Sequence, residues 1–308
     1  MVSSGLQRSK MTPPYPPSPK KLKPKFLLLP VLFFVVLIYG CGLSEDEELY
    51  SKDMAERKFI QICREEYNWD VNTKLIDNTL WIYIPYEQGI FQMKANRYAQ
   101  ISKCAISSLE GKFSNRIFYF EYQITPLLRT QEDKGYTYGL AEEISEDFRS
   151  LLNAIYRVYF NTKQSPEFYV IVMADTANGV EISYTIYNED LKKMYNNALA
   201  GEEQYKRLLQ DIRGSLAIIN DKEGRHLTCH RINLGQFLTE QIIQRIRLKF
   251  FGADSKLCQV PEEEIWKIIS YVMHTYQFQD FLKVNLRNLS SGTEAGMSRW
   301  DLEGIKEF

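Results

Sequence analysis

The feature that most constrains this chain is an apolar run, Phe26 to Cys41, that follows a basic N-terminal arm. The arm, residues 1–25, carries six basic residues and no acidic one, and its six prolines prevent it from holding a helix. A positively charged region, a short apolar region and a small residue before the cut are typical of a secretory signal peptide. The sequence therefore predicts that residues 1–40 are a signal peptide with a basic, proline-rich arm.

The apolar run ends in the motif Ile38-Tyr39-Gly40-Cys41. This motif resembles the lipobox of bacterial lipoproteins, with an aliphatic residue three positions before the cysteine and a small residue directly before it. Tyr39 departs from the small or β-branched residue usual in that family. The resemblance implies that a diacylglycerol is attached to Cys41 and that acyl chains such as palmitate hold the protein at the cell membrane or the outer membrane. The folded part would then face the periplasm or the exterior.

An alternative is a single-pass membrane protein whose leader is never cut. Phe26–Leu43 supplies 18 apolar or small residues, whereas a spanning helix needs about 20. Pro30 and two glycines near the end of the run weaken this interpretation. In both cases the basic arm stays inside and the rest of the chain is exported.

Cleavage before Cys41 would leave 268 residues, enough for a substantial core. Loss of the leader's six positive charges takes the formal net charge from −1 to −7. This acidic balance argues against a nucleic-acid partner. The sequence predicts a lipidated cysteine with an acidic tether over 41–48, an exported domain over 49–308, and a possible internal boundary near 126–140.

The periodicity of the exported part predicts an α+β fold, in which antiparallel hairpins carry helices packed on the sheet. Its clearest part is an α-β-β-α block near 141–213. The elements predicted there are a helix with apolar positions from Ile144 to Tyr159, strands at Phe168–Asp175 and Val180–Tyr187 around a type I′ turn at Asn178-Gly179, a helix from Glu189, and a helix through Tyr205 to Ile212.

Weaker signals predict the remaining elements. They are a helix capped by Ser44 and Glu47 and running to Glu66, strands near 71–75 and 80–84 with Pro85 as a stop, a hairpin of 98–107 and 116–124 turning at Glu110-Gly111, a loop at 125–140, strands at 215–220 and 226–232, helices from 234 and 261, an edge strand at 281–289 and a loosely packed end.

Four cysteines follow Cys41, namely Cys63, Cys104, Cys229 and Cys258. Four cysteines allow three disulfide pairings, and the sequence does not choose among them. None lies in a close-spaced motif, and each has neighbours suited to a core. We therefore expect mostly free, buried thiols.

Metal-ligating residues cluster only at His226 and His230. In a strand, which Thr228 and Ile232 favour, the two rings would share a face but lie about 13 Å apart. One ion could not reach both, so we expect ordinary strand side chains and no metal site. The chain also lacks the serine-hydrolase, phosphate-binding, dinucleotide-binding and C-x-x-C motifs. No catalytic, cofactor-binding or metal residue is predicted.

Tyrosines are abundant on or beside the predicted strands: Tyr83, Tyr86, Tyr119, Tyr122, Tyr136, Tyr138, Tyr184 and Tyr187. They would either fill the core or form a surface for an envelope protein or a glycan. The resulting functional prediction is a lipid-anchored envelope protein with a non-enzymatic binding or scaffolding role. The alternatives are an envelope hydrolase, metal-assisted through His226 and His230, and the uncleaved single-pass protein.

Overall fold

The computed structural model describes residues 50–95, 101–132, 136–199, 201–251, 253 and 255–305. The leader 1–40, Cys41 and the tether lie outside these residues, so the lipobox interpretation stays a prediction. The helix predicted to open at Ser44 begins instead at Lys52, and Ser51 is its N-cap. The described residues form one compact unit. Helices, antiparallel hairpins and mixed sheets make up this unit, which confirms the predicted α+β class.

The elements are numbered in chain order. The strands are β1 (Asn72–Ile76), β2 (Thr79–Tyr86), β3 (Phe91–Ala95), β4 (Ile101–Ser114), β5 (Ile117–Glu132), β6 (Tyr136–Leu140), β7 (Phe168–Asp175), β8 (Val180–Tyr187), β9 (Leu209–Gly214), β10 (Lys283–Asn288) and β11 (Glu294–Ser298). The helices are α1 (Lys52–Tyr67), α2 (Glu142–Tyr159), α3 (Asn188–Tyr195), α4 (Gly201–Arg207), α5 (Leu234–Phe250), α6 (Ser255–Gln259), α7 (Pro261–Thr275) and α8 (Arg299–Glu303), with a 3₁₀ turn at Leu216–Ile218.

The first sheet has the strand order β1-β2-β7-β8-β9, with β2 and β7 parallel and the other pairs antiparallel. Every residue of β7 is buried, as expected for a central strand covered on both faces. Helices α1 and α2 supply Phe59 and Leu151 to the core on one face. On the other face the segment 215–232 covers a smaller apolar cluster around Val172 and Ile218.

The second sheet has the order β11-β10-β5-β4, with β5 and β10 parallel. Helices α5 and α7 build its core, in which Phe118 of the sheet joins Phe237 and Ile269 of the helices. Strands β3 and β6 pair separately. Among the described helices, none is both long and apolar enough to cross a membrane.

The expectation of mostly free thiols is wrong for one pair of cysteines. Cys104 on β4 and Cys258 on α6 form a disulfide between residues 154 positions apart, with a Cα–Cα distance of 5.7 Å. Cys63 is buried and free, and Cys229 is free and half-buried. No local pattern could identify the bonded pair, because the two residues meet only when α6 packs against the second sheet.

The elements with the strongest local signals are confirmed. Helix α2, the β7–β8 hairpin and α7 with Pro261 in its first turn match the prediction, and Asn233 and Gln236 form a capping box at the start of α5. The type I′ turn is wrong, because φ is positive at Gly179 but not at Asn178. Instead, Asp175 Oδ1 accepts hydrogen bonds from the backbone N–H groups of Ala177 (3.2 Å) and Asn178 (2.8 Å).

The turn predicted at Glu110-Gly111 lies five residues further on, at Asn115-Arg116, where both φ angles are positive. Gly111 is inside β4 opposite Phe120. A Cβ at Gly111 would lie 2.6 Å from Cγ2 of Thr239 on α5. This glycine therefore permits a close approach of helix and strand, which is the other common use of a glycine in a strand.

Pro85 does not stop its strand, which continues to Tyr86. The backbone N–H and C=O groups of successive β2 residues point alternately toward the two neighbouring strands. Those of the odd-numbered residues point toward β1, which begins at Asn72 opposite Tyr83. The nitrogen of Pro85 thus faces a position beyond the end of β1, where no ladder hydrogen bond is lost.

Other predictions fail where pairing between distant segments decides the structure. The segment predicted as a helix through Tyr205 to Ile212 is split between α4 and the edge strand β9. The loop predicted at 125–140 contains the end of β5 and all of β6, and the predicted edge strand at 281–289 is the inner strand β10. The chain end is better packed than expected, because β11 pairs with β10 and Leu302 of α8 is buried. The strands predicted at 215–220 and 226–232 are a 3₁₀ turn and irregular chain.

Candidate functional site

A cleft of about 1780 Å³ runs around the β9 edge of the first sheet. Ser183 and Thr185 line it on one face of the sheet and Tyr184 on the other, since successive side chains of a strand point to opposite faces. Helix α5 forms one wall and helix α2 the opposite one. Sites for small molecules usually enclose roughly 300–1,000 Å³. The size of this cleft therefore favours a segment of a polymer.

The floor of the cleft carries a row of polar side chains on two neighbouring strands. Glu181 and Ser183 of β8 lie directly opposite Arg213 and Asp211 of β9. Arg213 Nε contacts Asp211 Oδ2 at 2.6 Å. The sequence carries a signal for the β8 half of this row, because polar residues alternate with Ile182, Tyr184 and Ile186 along the strand. The β9 half has no such signal, since its spacing resembles that of a helix.

His226 lies at one side of this floor, between two carboxylates. Its Nδ1 is 2.6 Å from Asp221 Oδ2, and its Nε2 is 2.7 Å from Glu181 Oε2. About one tenth of each of the three side chains is exposed. The backbone N–H of His226 also donates to Asp221 Oδ2, and the Tyr83 hydroxyl donates to the backbone carbonyl of Asp221. We call these three residues, Glu181, Asp221 and His226, the histidine clamp.

The clamp changes the pKa values of two of its members. Burial alone would lower the pKa of His226, but its hydrogen bonds to Asp221 and Glu181 outweigh this effect and raise it. Burial would raise the pKa of Asp221, but hydrogen bonds from the backbone and ring of His226, and from the backbone N–H groups of Arg225 and Glu223, hold it well below its usual range. Both shifts favour an imidazolium between carboxylates.

This geometry suits fastening better than catalysis. A general base must accept a proton, whereas the clamp favours the protonated imidazole and engages both of its ring nitrogens. Asp221 and His226 belong to the segment 215–232, and Glu181 belongs to the sheet. The clamp therefore fastens this segment over the sheet and shapes one side of the cleft.

His230 does not share a site with His226. Its Nδ1 lies 3.2 Å from the Thr228 carbonyl, and its ring lies 5.5 Å from that of Trp81. The indole Nε1 of Trp81 donates to the carbonyl of His230 at 3.0 Å. Within the described part of the chain, no three His, Cys, Asp or Glu side chains are grouped so that they could hold a metal ion.

The tyrosines singled out from the sequence mostly fill the core. Tyr83, Tyr86, Tyr122 and Tyr184 are buried, which agrees with the core interpretation, whereas Tyr119 is 41% exposed. Tyr187 is partly buried in the second core. The side chains of Tyr136 and Tyr138 lie outside the described residues.

Exposed apolar side chains instead gather around β9. Tyr205 before the strand is 77% exposed, and Leu216 after it is 86% exposed. The other members of this group are Ile212, Ile219 and Leu248, which are also exposed. Grouped apolar side chains on a surface commonly mark an interaction site.

Three cations also line the cleft: Lys112 of β4, Arg149 of α2 and Arg247 of α5. Each is exposed, and none forms an ion pair with another described residue. Glu181 and Asp211 are held by His226 and Arg213. The charged groups left available to a ligand are therefore these three cations and the exposed carboxylate of Glu240, which lies near Arg247 on α5. The cleft thus combines apolar and cationic surface.

A buried ionic network lies next to the segment that precedes β9. Arg207 of α4 contacts Asp190 of α3 at 2.5 Å and Glu203 at 2.9 Å, and Arg245 of α5 contacts Glu203 at 2.7 Å. The hydroxyl of Tyr276 donates to Asp190 Oδ2 at 2.6 Å. The network joins α3, α4 and α5, and so fixes the segment from which β9 starts.

These features have no counterpart from which a function could be carried over. No protein-family model, no curated protein and no solved structure matches the chain.

Proposed function

We propose that this chain is an exported lipoprotein, anchored through Cys41, whose domain binds an extended polypeptide segment of another envelope protein in the cleft around β9. The segment would carry apolar and acidic side chains. The size and lining of the cleft carry this proposal.

Export is supported by two independent features. The first is the basic arm and apolar run that precede Cys41. The second is the disulfide between Cys104 and Cys258, because disulfides persist in oxidising compartments such as the periplasm and are rare in the cytosol.

A polypeptide is favoured as the ligand by the chemistry of the cleft. Apolar anchors are the usual source of affinity in protein interfaces, and charged groups set the partner and the orientation. Tyr205 and Leu248 supply exposed apolar surface, and Lys112, Arg149 and Arg247 would meet acidic side chains. A glycan site would be expected to need several exposed aromatic rings. Among the described residues that line the cleft, Tyr205 is the one exposed Phe, Tyr or Trp side chain.

The anchor is tested by labelling cells with a clickable palmitate analogue. We expect label on the wild-type chain and none on Cys41→Ala, together with an intact mass that begins at Cys41 plus its acyl groups. An unlabelled chain with a full-length mass would contradict the lipoprotein proposal and support the uncleaved single-pass alternative.

The cleft is tested by placing photo-crosslinkable benzoylphenylalanine at Tyr205 of the full-length chain in its native cells. The matched control places it at Trp300, which is 70% exposed and outside the cleft. We expect one protein adduct at position 205 and none at 300, lost in an Arg149→Glu/Arg247→Glu variant. Adducts at both positions, or an adduct that resists protease but not glycosidase, would overturn the polypeptide proposal.

The metal-assisted hydrolase remains the alternative from the sequence. It would require His226 to leave both carboxylates, and no observed contact favours this. Stoichiometric zinc in the purified chain, lost in His230→Ala, would support that alternative.

A further inference from the structure

We propose that two copies of this chain pair edge to edge through β9, antiparallel and around a two-fold axis at Ile212. The result would be one continuous sheet of ten strands, within the usual size of open sheets. This inference goes beyond the proposed function and does not rest on it, because edge pairing uses the backbone groups of β9. The paired strand would occupy the part of the cleft that runs around the β9 edge.

The first step is the free edge of β9. Among the described strands, β9 is the last of the first sheet and pairs with β8 alone. The backbone N–H of Gln210 is directed away from β8, since it donates to Gln244 Oε1 at 3.2 Å. Because these directions alternate along a strand, the N–H and C=O groups of Ile212 and Gly214 also face outward. All residues of β9 after Leu209 are exposed.

The second step is the register. A two-fold pairing centred on Ile212 places Ile212 opposite Ile212 of the second copy and Gln210 opposite Gly214. These residues are the ones whose backbone groups face outward. The ladder hydrogen bonds can form at Ile212 and Gly214 directly, and at Gln210 when its N–H exchanges Gln244 Oε1 for the Gly214 carbonyl of the second copy. Asp211 of each copy then lies directly opposite Arg213 of the other, and both side chains are on the same face. Opposite charges in such positions stabilise a strand pair.

The third step is that neighbouring registers are disfavoured. A shift by two residues in one direction places Asp211 opposite Asp211, and a shift in the other direction places Arg213 opposite Arg213. Like charges directly opposite each other destabilise a pair. Edge strands commonly carry charges to prevent pairing. In β9 the two charges have opposite sign and are placed symmetrically about Ile212, so they select one register.

The apolar surface points the same way. Ile212 is 51% exposed in the single chain, next to the fully covered Ile182 of β8. In the paired state the side chain of Ile212 would be covered by its counterpart. Burial of Ile212 against Ile212 of another copy requires a second copy of this chain and no other protein.

The test is a disulfide between two copies. The full-length chain with Cys229→Ser and Ile212→Cys is produced in whole cells. The cells are then oxidised mildly with copper phenanthroline, which forms a disulfide between cysteines that lie close together. Opposite Cα atoms of a hydrogen-bonded pair are about 5.5 Å apart, which suits a disulfide. The matched control is Gln210→Cys on the same strand and face, whose Cα atoms in the two copies would be about 14 Å apart. We expect a band at twice the mass of the single chain for Ile212→Cys. We expect no such band for Gln210→Cys or for the chain that carries Cys229→Ser alone.

Charge reversal sharpens the test. In the Ile212→Cys background, Asp211→Arg or Arg213→Asp alone should reduce the cross-linked fraction on the order of tenfold, because attraction becomes repulsion at two equivalent pairs. The double exchange Asp211→Arg/Arg213→Asp should restore cross-linking. No dimer at position 212, equal dimer at 210, no rescue by the double exchange, or cross-links only to a different protein would each overturn the proposal.

Discussion

Two buried charge clusters in the described part of the chain differ in what they join and in how their charge responds to pH. The network of Asp190, Glu203, Arg207 and Arg245 joins three helices, and its cations are guanidinium groups that stay charged throughout the stable range of a protein. The histidine clamp joins an irregular segment to a sheet, and its cation is an imidazolium.

The two clusters stabilise the protein in different ways. Asp190 is 1% exposed, so its desolvation is offset only while Arg207 remains in place. The clamp lies beside the cleft, where water can replace a lost partner. We therefore expect the helix network to govern global stability, and the clamp to govern the local attachment of the segment 215–232.

The largest effect is expected from Arg207→Met. The substitution leaves Asp190 buried without its cation, which costs about 3–5 kcal/mol in the free energy of unfolding. Urea unfolding followed by circular dichroism measures the loss. The control is Arg157→Met, which removes a half-exposed pair with Glu66 and should change stability far less. Equal losses in the two variants would contradict the role assigned to the network.

A smaller effect is expected from His226→Gln, because a neutral amide cannot replace two charge-assisted hydrogen bonds. The loss should be about 1.5–3 kcal/mol near pH 6. Hydrogen exchange should show faster amide exchange in the segment 215–232, with exchange in α5 unchanged. If the segment kept its protection, the clamp would not be what fastens it.

The pH dependence of the stability loss distinguishes the histidine clamp from the helix network. The pKa of His226 is raised on folding, so its stabilisation is complete below the unfolded value of about 6.5 and is lost as the pH rises through the folded value. The pKa of Asp221 is lowered, so its contribution is present above about 3.9 and is lost as the pH falls through the folded value. The penalty of His226→Gln should therefore shrink between pH 6 and pH 9.

The loss of stability caused by Arg207→Met should stay constant from pH 6 to pH 9, because the guanidinium groups of the network stay charged over that range. Unfolding free energies of wild type and both variants at pH 6, 7, 8 and 9 test the contrast. Parallel pH profiles for the two variants would contradict it.

The smallest effects are expected from removing one hydroxyl in each cluster. Tyr276→Phe removes a hydrogen bond to the carboxylate of Asp190, and should cost about 1.5 kcal/mol. Tyr83→Phe removes a hydrogen bond to the neutral carbonyl of Asp221, and should cost about 1 kcal/mol. Thermal and urea unfolding of the matched variants measure the difference, and a larger loss for Tyr83→Phe would reverse the ranking of the two clusters.

The sequence alone was sufficient for elements whose signal is local. The apolar spacing predicts α2, the Asn233–Gln236 capping box predicts the start of α5, and Pro261 predicts the start of α7. The Asn178-Gly179 pair predicts the β7–β8 hairpin, although not its turn type. These signals are local because helical and hairpin hydrogen bonds join residues near in sequence. Composition and the leader also lead to the prediction of an exported, acidic domain. The sequence identifies His226 only as a candidate metal ligand beside His230, because its partner Glu181 lies 45 positions away and no spacing connects the two.

The features that make the candidate site follow from tertiary contacts alone. The parallel pairs β2–β7 and β5–β10 and the Cys104–Cys258 disulfide all join segments distant in sequence. The segment Leu209–Gly214 has apolar spacing that suits a helix, yet it is a strand because the outward backbone groups of β8 need partners. That pairing creates the cleft, its free edge and the row of facing charges, and a local pattern cannot report a hydrogen bond to a strand elsewhere in the chain.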